Sequence, residues 1–360
     1  TSGKIADAAI NGTMDALHVP TTLPLLQAGY DVLLEKPMGI NEAEVRELLA
    51  YARKYDRNVM ICHVLRYAPF YSEIYNRIAA GDIGEILNIQ MAEHVSYHHM
   101  AMGYVRGKWR NLEEGKSSML MAKCSHDLDL LAWMKGNTTP VKVSSYGGLS
   151  YFRPEKAPEG AGTRCLVDCP IEENCIYSAK KHYIEQGLWK AYVSADYHLG
   201  VKQTEEELIE SLRTDNPYGR CVWKCDNDVV DHQSVMVEFA DGSTATHNMV
   251  GASSKASRKI HLIGTKGEIH GEMENDYFTI RRPKPERGHE YEEERVEINA
   301  GKAFHGGGDL RLVEDFVRVV KGEKASPSST ELESSIYGHL IGFAADRSME
   351  TDQAVKIDRA

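Results

Sequence analysis

The chain has 360 residues, 42% hydrophobic and 26% charged, which is enough for two domains and ordinary for a globular protein. A net charge of -11 excludes nucleic acid as the main partner, because phosphate binding needs clustered lysines and arginines. The longest apolar runs, Val32 to Leu34 and Leu128 to Trp133, are too short to span a bilayer, and no signal-like start is visible. Seven cysteines without a regular framework point to reduced thiols and a cytoplasmic location.

Asp7 to Asn11 reads as a buried strand, Gly12 to Asp15 as a turn, and His18 to Gly29 as a helix stopped by glycine. Asp31 to Leu34 is the next strand and ends in Glu35-Lys36-Pro37. Asn41 with Glu44 forms a capping box for a helix running to about Tyr55, and Asn58 to Cys62 is a third strand. This alternation is the rhythm of a parallel sheet with crossover helices. Pro69 to Gly81 reads as helix, Ile86 to Val95 as strand and Ser125 to Lys135 as an apolar helix. Strands then dominate: Val141 to Gly147, Ser234 to Phe239, Ser243 to Val250, Lys259 to Ile263, Gly267 to Glu272 and Tyr277 to Arg281, with a hairpin turn at Gly264 to Gly267. Helices Gly308 to Lys321 and Ser329 to Met349 close the chain.

The expected fold is α/β: part of a doubly wound Rossmann domain over 1–67, then an α+β domain on a large open antiparallel sheet over 68–325. A cysteine-containing insertion falls at about 150–229, and a C-terminal helix and tail over 326–360. A doubly wound dinucleotide domain should open with a glycine-rich turn. No G-x-G-x-x-G occurs in the sequence, so a longer natural protein is expected.

Glu35-Lys36-Pro37 directly after a strand, with Thr13-Met14-Asp15 and His18 in the preceding strand-turn-helix, resembles the Gfo/Idh/MocA oxidoreductases, and the resemblance covers nearly the whole chain. It implies an NAD(P)-dependent enzyme acting on a sugar, polyol or related alcohol, with Lys36 catalytic and Thr13, Asp15, His18, Glu35, Lys36 and Pro37 by the cofactor. It also implies a cis peptide before Pro37. Chemistry supports the lysine independently. Oxidising a secondary alcohol requires a group at the hydroxyl that accepts a proton and stabilises charge, and Lys36 stands at the carboxyl end of a parallel strand. The plain alternative is a surface lysine ending a strand.

The family carries D-x-x-x-H at a helix opening. Here Lys123-Cys124-Ser125-His126-Asp127-Leu128-Asp129 keeps the histidine, but Ala122 replaces the aspartate. The machinery is then Lys36 and His126 with Lys123, and helical spacing would put Lys123, His126 and Asp129 on one face. His126 and Asp127 are expected to contact substrate. Trp109-Arg110 resembles a family pair that touches the cofactor, or is an exposed cation–π pair. Arg66 could face the cofactor or be plain packing. His305 in His305-Gly306-Gly307-Gly308-Asp309, and Asp231-His232, are substrate candidates, each of which could be an ordinary turn.

Cys165, Cys169, Cys175, Cys221 and Cys225 lie in the insertion, where a quartet of Cys165, Cys169, Cys175 and Cys225 could hold structural zinc; reduced thiols are the alternative. The expected partner is a small carbohydrate-like molecule, and the resemblance implies a homodimer or homotetramer. Two other readings stay open: an NAD-dependent glycosidase using transient oxidation, and a non-catalytic sensor on the same fold.

Overall fold

Two sheets organise the chain in the computed structural model, which describes residues 4–194, 203–299 and 304–360; residues 195–202 of the expected insertion lie outside these. The first half contains β1 (Ala8–Asn11), α1 (His18–Gln27), β2 (Asp31–Leu34), α2 (Glu42–Tyr55), β3 (Val59–Ile61) and α3 (Pro69–Ala79). Next come β4 (Ile86–Ser96), α4 (Met119–Met134), β5 (Pro140–Gly148), α5 (Glu205–Arg213), β6 (His232–Phe239), β7 (Thr244–Ser253), β8 (Ser257–Gly264) and β9 (Glu268–Glu272). The chain ends with β10 (Tyr277–Glu286), β11 (His289–Glu297), α6 (Gly308–Val320), α7 (Leu332–Thr351) and β12 (Val355–Lys356).

The first sheet is parallel, in the order β1-β2-β3. Every residue of β2 is buried because helices cover both faces, which is why its sequence is a continuous apolar run rather than an alternating one. Val32 and Leu34 pack with Val19, Leu26, Val45 and Leu48 of α1 and α2, whereas Leu33 packs with Met60, Leu312 and Phe316, the last two from α6. At the start of α2 the Asn41 side chain accepts the Glu44 amide at 2.9 Å, and the Glu44 carboxylate reaches back to the Ile40 amide at 3.0 Å, one residue before the predicted capping partner.

The second sheet has nine strands in the order β11-β10-β9-β8-β4-β7-β6-β5-β12. It is mixed, not purely antiparallel as expected, because β4 and β7 run parallel. α4 carries the chain back so that β5 runs in the direction of β4, and the meander β5-β6-β7 then delivers β7 in that same direction. One face packs Ile89, Val143, Val235, Val237 and Ala245 against Leu128 and Leu131 of α4 and Ile341 and Ala345 of α7. The other face leaves Tyr146, Met236 and Val250 exposed. Gly338 lets α7 approach α4, since a Cβ there would lie 2.8 Å from the Asp129 backbone. α7 serves both cores: Leu332, Ile336 and Leu340 join the first, Ile341 and Ala344 the second.

Strand β11 was not foreseen, because HEYEEERVE contains almost nothing apolar. It is an edge strand held by charge pairs such as Arg281–Glu293 at 2.6 Å and Arg282–Glu294 at 3.0 Å, and charged edges resist pairing with other chains. No described helix is long and apolar enough to cross a membrane.

Candidate active site

Parallel strands deliver their carboxyl ends to one edge, where open α/β sheets place their chemistry. Here Gly12-Thr13 follows β1, Glu35-Lys36-Pro37 follows β2 and Cys62-His63 follows β3. The Lys36-Pro37 peptide is cis, as the resemblance implied. His18 holds this edge together: its ring, 1% exposed, contacts the Pro37 carbonyl at 2.6 Å through Nδ1 and the Thr13 carbonyl at 2.8 Å through Nε2. Its place is therefore between the two turns and not on an open cofactor surface. From α7, His339 Nε2 accepts the Met38 amide at 2.9 Å. The Asn11 side chain accepts the Thr13 hydroxyl at 2.8 Å and donates to Thr22 at 2.8 Å. Thr13 and Glu35 are exposed and Asp15 is buried, with one carboxylate oxygen lacking a hydrogen-bond partner.

Across from these turns lies α4. It begins at Met119, with the Ser118 hydroxyl accepting the Met121 amide at 3.2 Å, so His126 sits well inside the helix and not at its opening as expected. Lys36 Nζ donates to the Ala122 carbonyl at 2.9 Å, one turn before His126. The residue that replaces the family aspartate thus supplies a backbone acceptor. Burial first, and the Lys123 cation second, push the Lys36 pKa below its usual 10.5, partly offset by Glu35 and Asp15.

The His126 ring is 6% exposed and its Nδ1 has no partner. His63 lies 5.6 Å from it between ring centroids, and His305 lies 6.0 Å away on the other side. Burial, then the Lys36 charge, holds the His126 pKa well below 6.5, so the ring is neutral at ordinary pH. His305 comes from a turn in which it, Gly306 and Gly307 have φ of 48°, 62° and 79°. Gly308 must be glycine because a Cβ would lie 2.2 Å from the Val64 carbonyl, which pins the turn onto the segment after β3. His305 Nδ1 is 3.1 Å from Asp309. Lys36 and His305 thus both lie near the His126 ring.

Other predicted residues point elsewhere. Lys123, His126 and Asp129 meet different partners. Lys123 pairs with buried Glu93 of β4 at 2.7 Å, so it is a charged neighbour of Lys36 and not a second free ammonium. Asp127 turns to the sheet and pairs with Arg258 at 3.2 Å; Arg258 also meets Glu93 at 2.8 Å. Asp127, Cys124 and His247 form the one group of three potential metal ligands within 4.8 Å among the described residues, but the Arg258 charge already occupies that corner. Arg66 is 1% exposed and spends all five donors internally, on Asp129 at 2.7 and 2.6 Å, the Ser329 carbonyl, Ser334 and Ser335. No donor is left for a cofactor.

Arg110 is likewise bound by Glu114 and by Asp226 at 2.9 Å. Trp109 keeps its buried indole N–H without a partner, and Lys108 lies 4.3 Å above its ring and 3.3 Å from Met14 of the first domain. Asp231 accepts the amides of Ser150, Tyr151 and Phe152 at 3.0, 2.6 and 3.3 Å and contacts His232 at 2.8 Å, so this pair braces a loop and contacts none of the Lys36 group. Of the cysteines in the insertion, Cys165, Cys169, Cys175 and Cys221 line one small cavity, while the thiol of Cys225, a member of the expected quartet, donates to the Cys221 carbonyl at 3.3 Å.

Sequence reasoning missed His63, Glu93, Arg258, His339 and Lys108. His63 carried a signal, since it directly follows a strand on the chemical edge. Glu93 and Arg258 carried only that of isolated charges inside otherwise apolar strands.

Comparison with known proteins agrees with this fold. Residues 2–63 match the model "Oxidoreductase family, NAD-binding Rossmann fold", and residues 76–357 match "Oxidoreductase family, C-terminal alpha/beta domain". The chain is 26% identical to YteT of Bacillus subtilis over 319 residues, covering 86% of this chain and 72% of that protein. It is 25% identical to inositol 2-dehydrogenase of Corynebacterium glutamicum over 136 residues, covering 36% of each. A solved levoglucosan dehydrogenase in complex with NADH shares the fold, with a TM-score of 0.69 and 15% identity, covering 98% of this chain and 80% of that one.

Proposed function

The chain belongs to the Gfo/Idh/MocA family of oxidoreductases, and on that premise we propose that it moves hydride between NAD and a secondary alcohol of a sugar or polyol, with Lys36 as acid and base. The observation that carries this reading is the Lys36 ammonium, held by the Ala122 carbonyl beside the unpaired, neutral His126 ring at the carboxyl edge of the parallel sheet.

NAD, when bound, takes up or releases the hydride at its nicotinamide ring. The residues present fit that end of the cofactor: Asp15 and Trp109 each keep a buried polar atom without a protein partner, and Thr13 and Glu35 stand exposed at the strand ends. The chain does the rest. Burial and Lys123 ease loss of the Lys36 proton to solvent, and the neutral amine then takes the proton of the reacting hydroxyl and returns it in the reverse direction. His126 accepts a hydrogen bond at Nδ1 and fixes the hydroxyl, or its neighbour on the ring, against Lys36. Glu93 neutralises Lys123 in place, so the second cation tunes Lys36 without competing for substrate. The turn at His305 closes the far side.

Inositol 2-dehydrogenase and levoglucosan dehydrogenase act, by their names, on a polyol and an anhydrosugar, which supports an alcohol-rich ring as substrate here. The exposed apolar side chains Tyr146, Met236 and Val250 on the outer sheet face support a homodimer or homotetramer joined there. Unbridged cysteines support a cytoplasmic setting.

The test is a panel of inositols, anhydrosugars and aldoses with NAD and the full-length protein. Net NADH should accumulate with one class and disappear in Lys36→Ala. Cleavage of a nitrophenyl glycoside without net NADH would replace this reading with the glycosidase, and unchanged biological activity of Lys36→Ala would replace it with the sensor.

A further inference from the structure

The segment between β5 and β6 has a small core of its own, built on Cys165, Tyr183, Leu208, Leu212 and Tyr218. Two stretches of it meet at the isolated backbone bridge Arg164–Arg220, where the Cys165 amide donates to the Gly219 carbonyl at 3.0 Å and the Cys221 amide to the Thr163 carbonyl at 2.8 Å. The bridge therefore brings Cys165 and Cys221 alongside each other from positions far apart in the chain. Cys169 and Cys175 curl back to the same point, and the four cysteines line a cavity of about 10 Å³. That is room for about one water-sized particle, which excludes an organic ligand and suits an ion. None of the cysteines is bridged.

A second observation is independent of the sulfurs. Arg106 is wholly buried at the wall of this cavity. Its donors go to the Arg220 carbonyl at 2.7 Å, the Tyr177 carbonyl at 2.8 Å, the Tyr183 hydroxyl at 3.2 Å and the Cys165 sulfur at 3.6 Å. Among the described residues it makes no ion pair with a carboxylate. A buried cation is costly without a nearby anion, and the one carboxylate lining the cavity, that of Glu172, makes no ion pair with it. Four thiolates around one divalent ion carry a net negative charge and would supply the missing counter-charge.

We propose that Cys165, Cys169, Cys175 and Cys221 bind a single Zn(II) that staples the two stretches of the insertion, separately from the alcohol-oxidising site. Binding exchanges four thiol protons, released to solvent, for one ion, with no redox change. A tetrahedral site with Zn–S bonds of about 2.3 Å places its sulfurs about 3.8 Å apart. No three of these four sulfurs all lie within 4.8 Å of one another. The ion must draw them inward, and the half-exposed loop positions of Cys169 and Cys175 leave room for this.

The experiment is elemental analysis of the full-length protein purified without chelators or immobilised metal. About one zinc per chain is expected, lost in Cys165→Ser and Cys221→Ser and retained in Cys225→Ser. Should the serine variants not fold, wild-type protein treated with a strong chelator should lose zinc, gain four reactive thiols and become protease-sensitive within 161–225. Metal-free protein whose thiols all react before chelation would overturn the proposal, as would a mass two hydrogens light for each disulfide. Iron with a visible absorption band would overturn the zinc assignment, and full zinc retention in Cys221→Ser would overturn the quartet.

Discussion

Two neighbouring buried sites use the same pair of elements and end in opposite states. The segment after β3 supplies His63 and Arg66, and α4 supplies His126 and Asp129. Arg66 and Asp129 close on each other as a fork, at 2.6 and 2.7 Å, with every guanidinium donor occupied. His63 and His126, one turn away on the same elements, leave ring nitrogens without hydrogen bonds beside the Lys36 ammonium, although His63 Nε2 lies 3.7 Å from Asp129. A satisfied polar group in the interior contributes to holding the fold; an unsatisfied one, which costs about 1–3 kcal/mol, persists where a ligand completes it. The contrast separates structural polarity from functional polarity without reference to any relative.

The largest expected effect is on chemistry. Lys36→Ala should lower kcat by about 10²–10⁴-fold, the usual worth of a positioned acid–base group, while urea unfolding changes little. Next, Asp129→Ala should leave Arg66 buried and uncompensated and cost about 3–5 kcal/mol of unfolding free energy, read from the urea midpoint. If Lys36→Ala unfolded the protein while Asp129→Ala merely slowed it, the contrast would be reversed and abandoned. His126→Asn keeps a polar group of similar reach and should lose about tenfold to a hundredfold in kcat/KM, the worth of one hydrogen bond to a polarised group, with wild-type folding.

The smallest effect is in pH. His126 and His63 have pKa values well below 6.5, and burial lowers that of His339 to about 3. The unfolded chain therefore binds protons that the folded chain refuses, and stability is complete above about 6.5 and falls as pH drops below it. Each such histidine should contribute at most about 1.4 kcal/mol per pH unit, the limit approached well below the ordinary histidine pKa. His339→Gln, which can still accept the Met38 amide, should flatten the slope measured by thermal unfolding between pH 5 and 6.5 (an interval within about 1.5 units of the ordinary histidine pKa). An unchanged slope would show that this ring is not held neutral.

Local chemistry made part of the site readable in one dimension. Lys36 was legible because a strand end with Glu-Lys-Pro is a position as well as a composition, and His126 because a polar cluster before an apolar run resembles the family's D-x-x-x-H. Glu93 and Arg258 were not legible, since each is a lone charge in its strand and they become partners only when β4 and β8 pair. Arg66 lies just past a strand end and Asp127 beside His126, yet loop and helix geometry turn each to a buried charged partner. Cys221 and Cys225 share a spacing that cannot rank them, and the bridge at Arg164–Arg220 does.

The amino-acid sequence alone determined the strand-helix alternation, the apolar faces and the Glu35-Lys36-Pro37 turn after β2, because those depend on periodicity and on residues within a few positions of one another; the class of chemistry rested on the resemblance of that turn to the family's. Tertiary structure decided which charges neutralise each other, which rings stay neutral and unpaired, and that β7 runs parallel to β4, because each of these depends on burial and on contacts between segments distant in the chain.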